Sequence, residues 1–225
     1  MPRVNQVALN SAAGLELADG LRALLRQDPD VIMVGEIRDR ETADIGVRAA
    51  LVGRPFLATL HTNDSTSAVA RLLDMGIEPF LLASTLVLVV AQRLVRRICV
   101  GCRESSAVDD ARFAALGSRP DFERTIDVLR SEGVLSGADG LLTAARMFRG
   151  RGCPQCGGTG FRGRVGIFEM FEVGDPIRRM LMELRDGGVI RDAAIAAGMK
   201  TMFQDGIAKT LLGETTLEEV FRVAL

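Results

Sequence analysis

The sequence predicts an α/β fold with an open parallel sheet, then a region that holds all four cysteines, then a helical C-terminal region. Short apolar runs rich in β-branched residues alternate with amphipathic helical patterns, which is typical of βαβ units. The cysteines occur as two C-x-x-C pairs. These changes of character divide the chain into residues 1–94, 95–172 and 173–225.

The first part carries the strand patterns. Residues 31–34 and 55–60 are short apolar runs, and we expect buried strands covered on both faces, as in a parallel sheet. Thr62 and Asn63 are candidates to cap the helix that follows the second strand. Helical patterns occupy residues 16–27, 40–52, 65–73 and 79–95.

The later parts have a different character. Residues 107–149 are polar and rich in Ala and Gly, and predict a helical insert between the cysteine pairs. Residues 164–173 alternate enough to predict a strand or hairpin. Helical patterns follow at residues 177–184, 189–197, 201–212 and 217–223.

Composition excludes several classes of function. Lys and Arg number 28 against 29 Asp and Glu, and Trp and Tyr are absent, so we expect no nucleic-acid binding. The N-terminal residues lack the apolar core of a signal peptide. The longest apolar run, residues 80–91, is too short to cross a bilayer and predicts a buried core helix. We therefore expect a cytoplasmic chain without a transmembrane segment.

Glu36 is the first candidate site residue, because it follows Gly35 at the end of the first buried strand. Ligands bind outside the carboxyl ends of strands in open parallel sheets. A carboxylate there can orient an attacking water or hold a magnesium shell through water, and Gly35 leaves room for close approach. The plainer interpretation is a polar residue at a strand end.

His61, the only histidine, follows the second buried strand. It shares a sheet edge with Glu36 if the two strands are parallel. A neutral imidazole there can hydrogen-bond a phosphate oxygen. The alternative is a histidine whose ring is satisfied within the fold.

The cysteine pairs are Cys99 with Cys102 and Cys153 with Cys156. Two such pairs complete a tetrahedral Zn²⁺ shell, and a reducing compartment favours a metal over disulfides. Disulfides or a redox C-x-x-C are the alternatives. The long spacing between the pairs requires the insert to fold back on itself.

The string LRQDPDVIMVGEIRD at residues 25–39 resembles the signature of the ATPases that power type II secretion and type IV pilus assembly. The string LATLHTND at residues 57–64 resembles the His box of that family. Residues 76–84, 91–97, 163–169, 198–201 and 213–220 also resemble it. Only the insert, residues 104–148, follows no family pattern.

The resemblance implies a partial RecA-like P-loop core, a tetracysteine zinc subdomain and a small helical region. It implies Glu36 and His61 as catalytic residues, with Gly35 and Arg38 also at the nucleotide. It implies ATP, Mg²⁺ and Zn²⁺ as ligands, a hexameric ring, and inner-membrane platform proteins as partners. Arg22, Arg38 and Arg48 are candidates for subunit contacts, although exposed arginines are more often solvated.

The departure from the family that matters most is that the sequence contains no G-x-x-x-x-G-K-[ST] phosphate-binding loop. The acidic box and the arginine fingers that the family places upstream are absent too. We therefore expect the chain to begin partway through the ATPase fold. A catalytically inactive docking or oligomerisation module with structural zinc is the alternative. A sheet without its leading strands exposes an apolar edge, so we also expect the isolated chain to associate.

Overall fold

The computed structural model describes residues 4–9, 12, 14–106, 116–135 and 147–224. Its contacts divide the chain into two compact units. The first unit comprises Met1–Val89 and Phe171–Ala197, and the second comprises Val90–Met170 and Gly198–Leu225. Within the described residues, no helix is both long and apolar enough to span a membrane.

The elements follow one another in an order that begins as alternating helix and strand. In chain order they are α1 (Leu17–Leu25), β1 (Ile32–Val34), α2 (Arg40–Leu51), β2 (Phe56–Ala58), α3 (Ser65–Asp74), α4 (Pro79–Thr85), β3 (Leu88–Ile98), β4 (Arg103–Ser106), α5 (Phe122–Ser131), β5 (Met147–Gly150), a 3₁₀ turn (Pro154–Cys156), β6 (Phe161–Glu172), α6 (Asp175–Met182), α7 (Gly187–Ala196), α8 (Met202–Leu211) and α9 (Leu217–Ala224).

The first unit is built around the short strands β1 and β2, which pair in parallel with Val34 opposite Ala58. Helices α1 and α2 bury Leu21 and Ile45 against Ile32 and Val34 of β1. A second core lies under α2, α3 and α4, and α6 and α7 pack on α4 and α3. The parallel pairing, and an α/β fold for this part, are confirmed.

One expectation for these strands is wrong, because only one face of the pair is covered within the described residues. Ile32 and Val34 are buried, but Met33 between them is 73% exposed. Its partner in register, Leu57, is 55% exposed. Alternation places successive side chains on opposite faces, so one face carries the core and the other carries these two residues. Association of the isolated chain stays a prediction.

The prediction of a helix at residues 79–95 is correct only for its first half. The prediction of a buried core helix at residues 80–91 is wrong for the same reason. Helix α4 starts with Pro79 at its first position and ends at Thr85, and the Leu86 backbone is extended. Residues from Leu88 form the long strand β3, which pairs with β6. Val89 and Val90 are β-branched, and burial alternates along this part of the chain, which favours a strand.

The second unit contains the paired strands β4 and β5, which are antiparallel with Ser106 opposite Met147. Its main core joins α5, α8 and α9 through Leu129, Phe203 and Val220. The predicted insert is helical at α5, but its last residues form β5 instead of helix. Residues 107–115 and 136–146 of that prediction lie outside the described residues.

The predicted C-terminal helices are confirmed to within two residues at each end. They are shared between the units, since α6 and α7 belong to the first and α8 and α9 to the second. A capping box fixes the start of α8, where Thr201 and Gln204 bond each other's backbone N–H groups. The strand predicted at residues 164–173 is confirmed as part of β6.

Candidate functional site

The parallel pairing of β1 and β2 brings two predicted site residues into contact. His61 Nε2 lies 2.6 Å from an Oε2 atom of Glu36. We call Gly35, Glu36, Arg38 and His61 the strand-end site, since all four follow the carboxyl ends of β1 and β2. The shared sheet edge predicted from sequence is therefore present.

Arg38 forms an ion pair with Glu36 in the strand-end site. Its guanidinium contacts the carboxylate oxygen of Glu36 that His61 does not contact. The Glu36 side chain is 23% exposed, whereas those of His61 and Arg38 are largely exposed. The hydrogen bond from Arg38 lowers the pKa of Glu36, with a further contribution from His61, against partial burial. Glu36 is therefore an ionised acceptor at neutral pH.

The space beside Gly35 is open in the part of the chain that the structure describes, because a Cβ atom added there would meet no other atom within 4 Å. The room that sequence analysis assigned to Gly35 is therefore present.

The two loops of the strand-end site each lead into the start of a helix. Asp39 caps α2 by accepting from Thr42 N at 2.8 Å, and Asp64 caps α3 by accepting from Ser67 N at 2.7 Å. Burial opposes ionisation of Asp64, but the bonds from Ser67 and Thr66 lower its pKa. The N-cap position of α3 is therefore occupied by Asp64, one residue after the predicted Thr62 and Asn63. The signal was present, since Asp also favours the N-cap position.

Arg22 and Arg48, which were candidates for subunit contacts, form ion pairs within the chain. Arg22 contacts Asp19 and Glu41, and Arg48 Nε lies 2.6 Å from Asp44. All of these side chains are substantially exposed. Their role in subunit contacts stays a prediction.

The four cysteines form one cluster in the second unit, with all Sγ atoms within 4.8 Å of one another. The Cys99–Cys153 and Cys102–Cys156 Sγ pairs are 3.9 Å apart, and the Cys153–Cys156 pair is 3.7 Å apart. The cysteines are free, so the disulfide alternative is not what the structure adopts. A tetrahedral ion with bonds of about 2.3 Å would set its sulfurs about 3.8 Å apart, so the cluster fits a zinc-sized ion.

The local fold supports the cluster from both sides. Cys99 N donates to Gly160 O at 2.9 Å, which ties the end of β3 to the start of β6. Backbone donation from Cys153, together with that from Gly160, lowers the pKa of Cys156 to about 6, whereas burial raises that of Cys102 to about 11. A bound cation favours deprotonation of every thiol it holds.

A buried carboxylate, that of Glu219, is bound by a residue that lies shortly before the first cysteine pair. The Glu219 carboxylate of α9 accepts from the backbone N and from the guanidinium of Arg96, both at 2.8 Å, and from Arg222. Arg96 precedes Cys99 on β3 and stacks over the Phe161 ring. No local sequence pattern predicts these contacts, because Arg96 and Glu219 are far apart in sequence.

These features define an α/β protein with polar groups at the carboxyl ends of parallel strands and a separate four-cysteine cluster. The sequence profile of the Type II/IV secretion system protein family matches residues 1–222, and the chain belongs to that family. The resemblance stated from the motifs is therefore confirmed.

The relatives include a type II secretion system protein and a type IV pilus assembly ATPase. The chain is 45% identical over 223 residues to the Type II secretion system protein HxcR of Pseudomonas aeruginosa, covering 99% of this chain and 39% of HxcR. It is also 45% identical over 220 residues to the Type IV pilus assembly ATPase PilB of Thermus thermophilus, covering 98% of this chain and 23% of PilB. The chain thus spans about a quarter to two fifths of the length of these relatives.

Solved structures support the fold. The pilus retraction motor PilT with bound ADP matches with a TM-score of 0.58 and 24% identity, covering 92% of this chain and 43% of PilT. The Legionella pneumophila ATPase DotB matches with a TM-score of 0.57 and 20% identity, covering 92% of this chain and 42% of DotB.

Proposed function

We propose that this chain is part of a cytoplasmic ATPase that hydrolyses ATP to power type II protein secretion or type IV pilus assembly. The contact of Glu36 with His61 at the carboxyl ends of two parallel strands is the observation that carries the proposal. Nucleotides bind at such edges. The relatives named above work in these two machineries by their names.

Glu36 acts on the attacking water in this proposal. Phosphoryl transfer depends mainly on positioning and on stabilising charge. Arg38 and His61 lower the pKa of Glu36, so the carboxylate is a weak base but a constant hydrogen-bond acceptor. It therefore orients the water through its acceptor oxygens. Mg²⁺, when bound with ATP, neutralises phosphate charge.

In this proposal His61 and Arg38 both bind the phosphate, His61 by a hydrogen bond and Arg38 by its positive charge. The His61 side chain is 86% exposed, so it can turn from Glu36 toward a phosphate oxygen without leaving a buried pocket. The Arg38 side chain is 75% exposed, so its charged guanidinium can also turn toward the phosphate. The open space beside Gly35 allows the phosphate close to this edge.

The phosphate cradle lies outside these 225 residues in this proposal, because the sequence has no G-x-x-x-x-G-K-[ST] motif. The first unit would then be part of a RecA-like core. The family resemblance extends the proposal to a homo-hexamer that works at the inner-membrane face with platform proteins.

The second unit supplies a structural zinc site in this proposal. Cys99, Cys102, Cys153 and Cys156 would hold Zn²⁺ with four thiolates, which leaves no position for a catalytic water. The sulfur distances support this assignment, and zinc would stabilise the local fold.

A catalytically inactive docking or oligomerisation module is the second candidate. The missing phosphate-binding motif favours it, since these residues alone offer no cradle for the β- and γ-phosphates. The metal cluster would have the same structural role in either case.

The test replaces the matching segment of Thermus thermophilus PilB, which is named an ATPase, with this chain. Glu36→Gln in this chimera keeps the size of the side chain but removes its charge. We expect ATP turnover to fall at least 100-fold while ATP binding persists, because the cradle is untouched. Steady-state phosphate release and binding of a fluorescent ATP analogue measure the two properties.

The matched control is Glu78→Gln, which changes an exposed glutamate before α4 and should leave turnover unchanged. Turnover by the Glu36→Gln chimera at the unsubstituted rate would reject the catalytic role. A folded chimera that binds ATP without hydrolysing it, beside active PilB, would favour the docking module.

A further inference from the structure

Thr59 makes two hydrogen bonds to the residues on either side of Glu36. Its hydroxyl donates to the carbonyl oxygen of Gly35. Its own carbonyl oxygen accepts from Ile37 N at 2.9 Å. The residue that precedes Glu36 and the residue that follows it are therefore held by one residue of the neighbouring strand end.

These bonds lie where regular pairing of the strands ends. The parallel register finishes with Val34 opposite Ala58, and Thr59 is the next residue along β2. The hydrogen bond from Ile37 N is accepted by the backbone carbonyl of residue 59, so any residue at that position can make it. The Gly35 bond needs a side-chain donor, which Thr and Ser provide and Val and Ala do not.

We propose that Thr59 is a positioning residue that holds the Glu36 carboxylate in its place at the strand-end site. This inference rests on the proposed ATPase function. The Thr59 hydroxyl fixes the backbone before Glu36, and so fixes the direction in which the carboxylate leaves the sheet. His61 lies two residues further along the same loop, so Thr59 also sets the separation of the two side chains.

This role has a kinetic consequence. Catalysis by positioned groups is sensitive to displacements of about 1 Å, whereas nucleotide affinity depends mainly on the phosphate cradle. Loss of the hydroxyl should therefore lower kcat and leave the KM for ATP nearly unchanged. A hydroxyl that instead contacts the nucleotide in both ground and transition states would change KM.

The experiment uses the PilB chimera with Thr59→Val, which keeps the β-branched shape but removes the donor. We expect kcat to fall about 10-fold, with the KM for ATP within about twofold of the unsubstituted value. Thr59→Ser, which restores the donor, should recover most of the loss. Thr85→Val is the matched control, because its hydroxyl donates to Leu81 O within α4, away from the strand-end site.

Unchanged kcat in Thr59→Val would overturn the inference, as would a raised KM with kcat retained. Should Thr59→Val fail to fold, Thr59→Ser and Thr59→Ala form a second pair that differs by the hydroxyl alone, and equal kcat in that pair would also overturn it. The Glu36→Gln chimera separates this result from the ATPase proposal. Loss of turnover there with normal turnover in Thr59→Val would reject only the role of Thr59.

Discussion

Glu219 shows how a single buried side chain can organise the second unit. The carboxylate is 2% exposed and is held by Arg96 and Arg222. Burial opposes its ionisation, but the hydrogen bonds from Arg222 and Arg96 outweigh burial and lower its pKa to about 2. Because Arg96 lies on the strand that leads to Cys99, this contact ties α9 to the start of the cysteine cluster.

Glu219→Gln should lower the free energy of unfolding by about 2 kcal/mol at pH 7, because charge-assisted hydrogen bonds are lost. A lowered pKa stabilises the fold above the unfolded value, and that contribution is lost as pH falls from about 4.5 toward 2. The difference between the two proteins should therefore shrink below pH 4.5. Urea unfolding between pH 7 and pH 3 measures it.

Glu123→Gln is the matched control, because Glu123 is exposed in the first turn of α5. It should change the free energy of unfolding by less than about 0.5 kcal/mol. A pH-independent difference between Glu219→Gln and the unsubstituted chain would contradict the assigned pKa.

The sequence predicts individual residues well where local pattern decides their position. Glu36 and His61 each follow an apolar run that forms a strand. Parallel pairing of β1 and β2 then places both residues at the same edge of the sheet. The contact of Glu219 with Arg96 was not predictable, since the two residues are distant in sequence and no local pattern links them. Thr59 was inside a recognised string, but its hydroxyl bond depends on the backbone direction of the neighbouring loop.

At the scale of elements, α2 and β2 pack through the close approach of Gly46 to Phe56. A side chain carbon added at Gly46 would lie 2.5 Å from the Phe56 ring. Phe56 packs against the two hydrophobic clusters described above for the first unit. The glycine therefore sets the distance between this helix and this strand.

Gly46→Ala should lower the free energy of unfolding by about 1–2 kcal/mol, since overpacking exceeds the gain in helix propensity. Gly20→Ala in α1 is the control, because among the described residues the added carbon would meet Leu9 alone, at an ordinary 3.9 Å. That change should be neutral or stabilising by up to about 1 kcal/mol. Thermal and urea unfolding compare the two, and equal stabilisation by both would show that Phe56 moves aside.

The longest stretch that sequence reasoning assigned to the wrong element is the end of α4 and the beginning of β3. An apolar run gives no helical or strand period by itself, so its length decided the prediction of a helix. The hydroxyls of Ser84 and Thr85 donate back to Phe80 O and Leu81 O in the last turn of α4. The chain then extends because β6, far along the sequence, offers strand pairing.

At the scale of the whole molecule, the cysteine cluster joins segments that are far apart in the chain. The Cys153→Ser chain should bind no zinc, whereas the unsubstituted chain should carry about one ion. Loss of the ion should lower the Tm by about 10 °C or more, because a structural site contributes several kcal/mol to folding. Elemental analysis and thermal unfolding measure both quantities.

Val100→Ser is the control, since Val100 lies between two of the cysteines but is 72% exposed. It should retain the ion and the Tm. A stable Cys153→Ser chain that still carries a full equivalent of zinc would contradict the site.

The register of β4 and β5 has a consequence for the evolution of chain length. Ser106 and Met147 are opposite one another, so the two ends of the segment between them are held side by side by the strand pair. The segment also carries α5, whose Leu129 is buried in the core of the second unit, so it cannot be removed as a whole without opening that core. Insertions beside the Ser106–Met147 pair can therefore vary in length without moving either cysteine pair, as long as α5 still packs in that core.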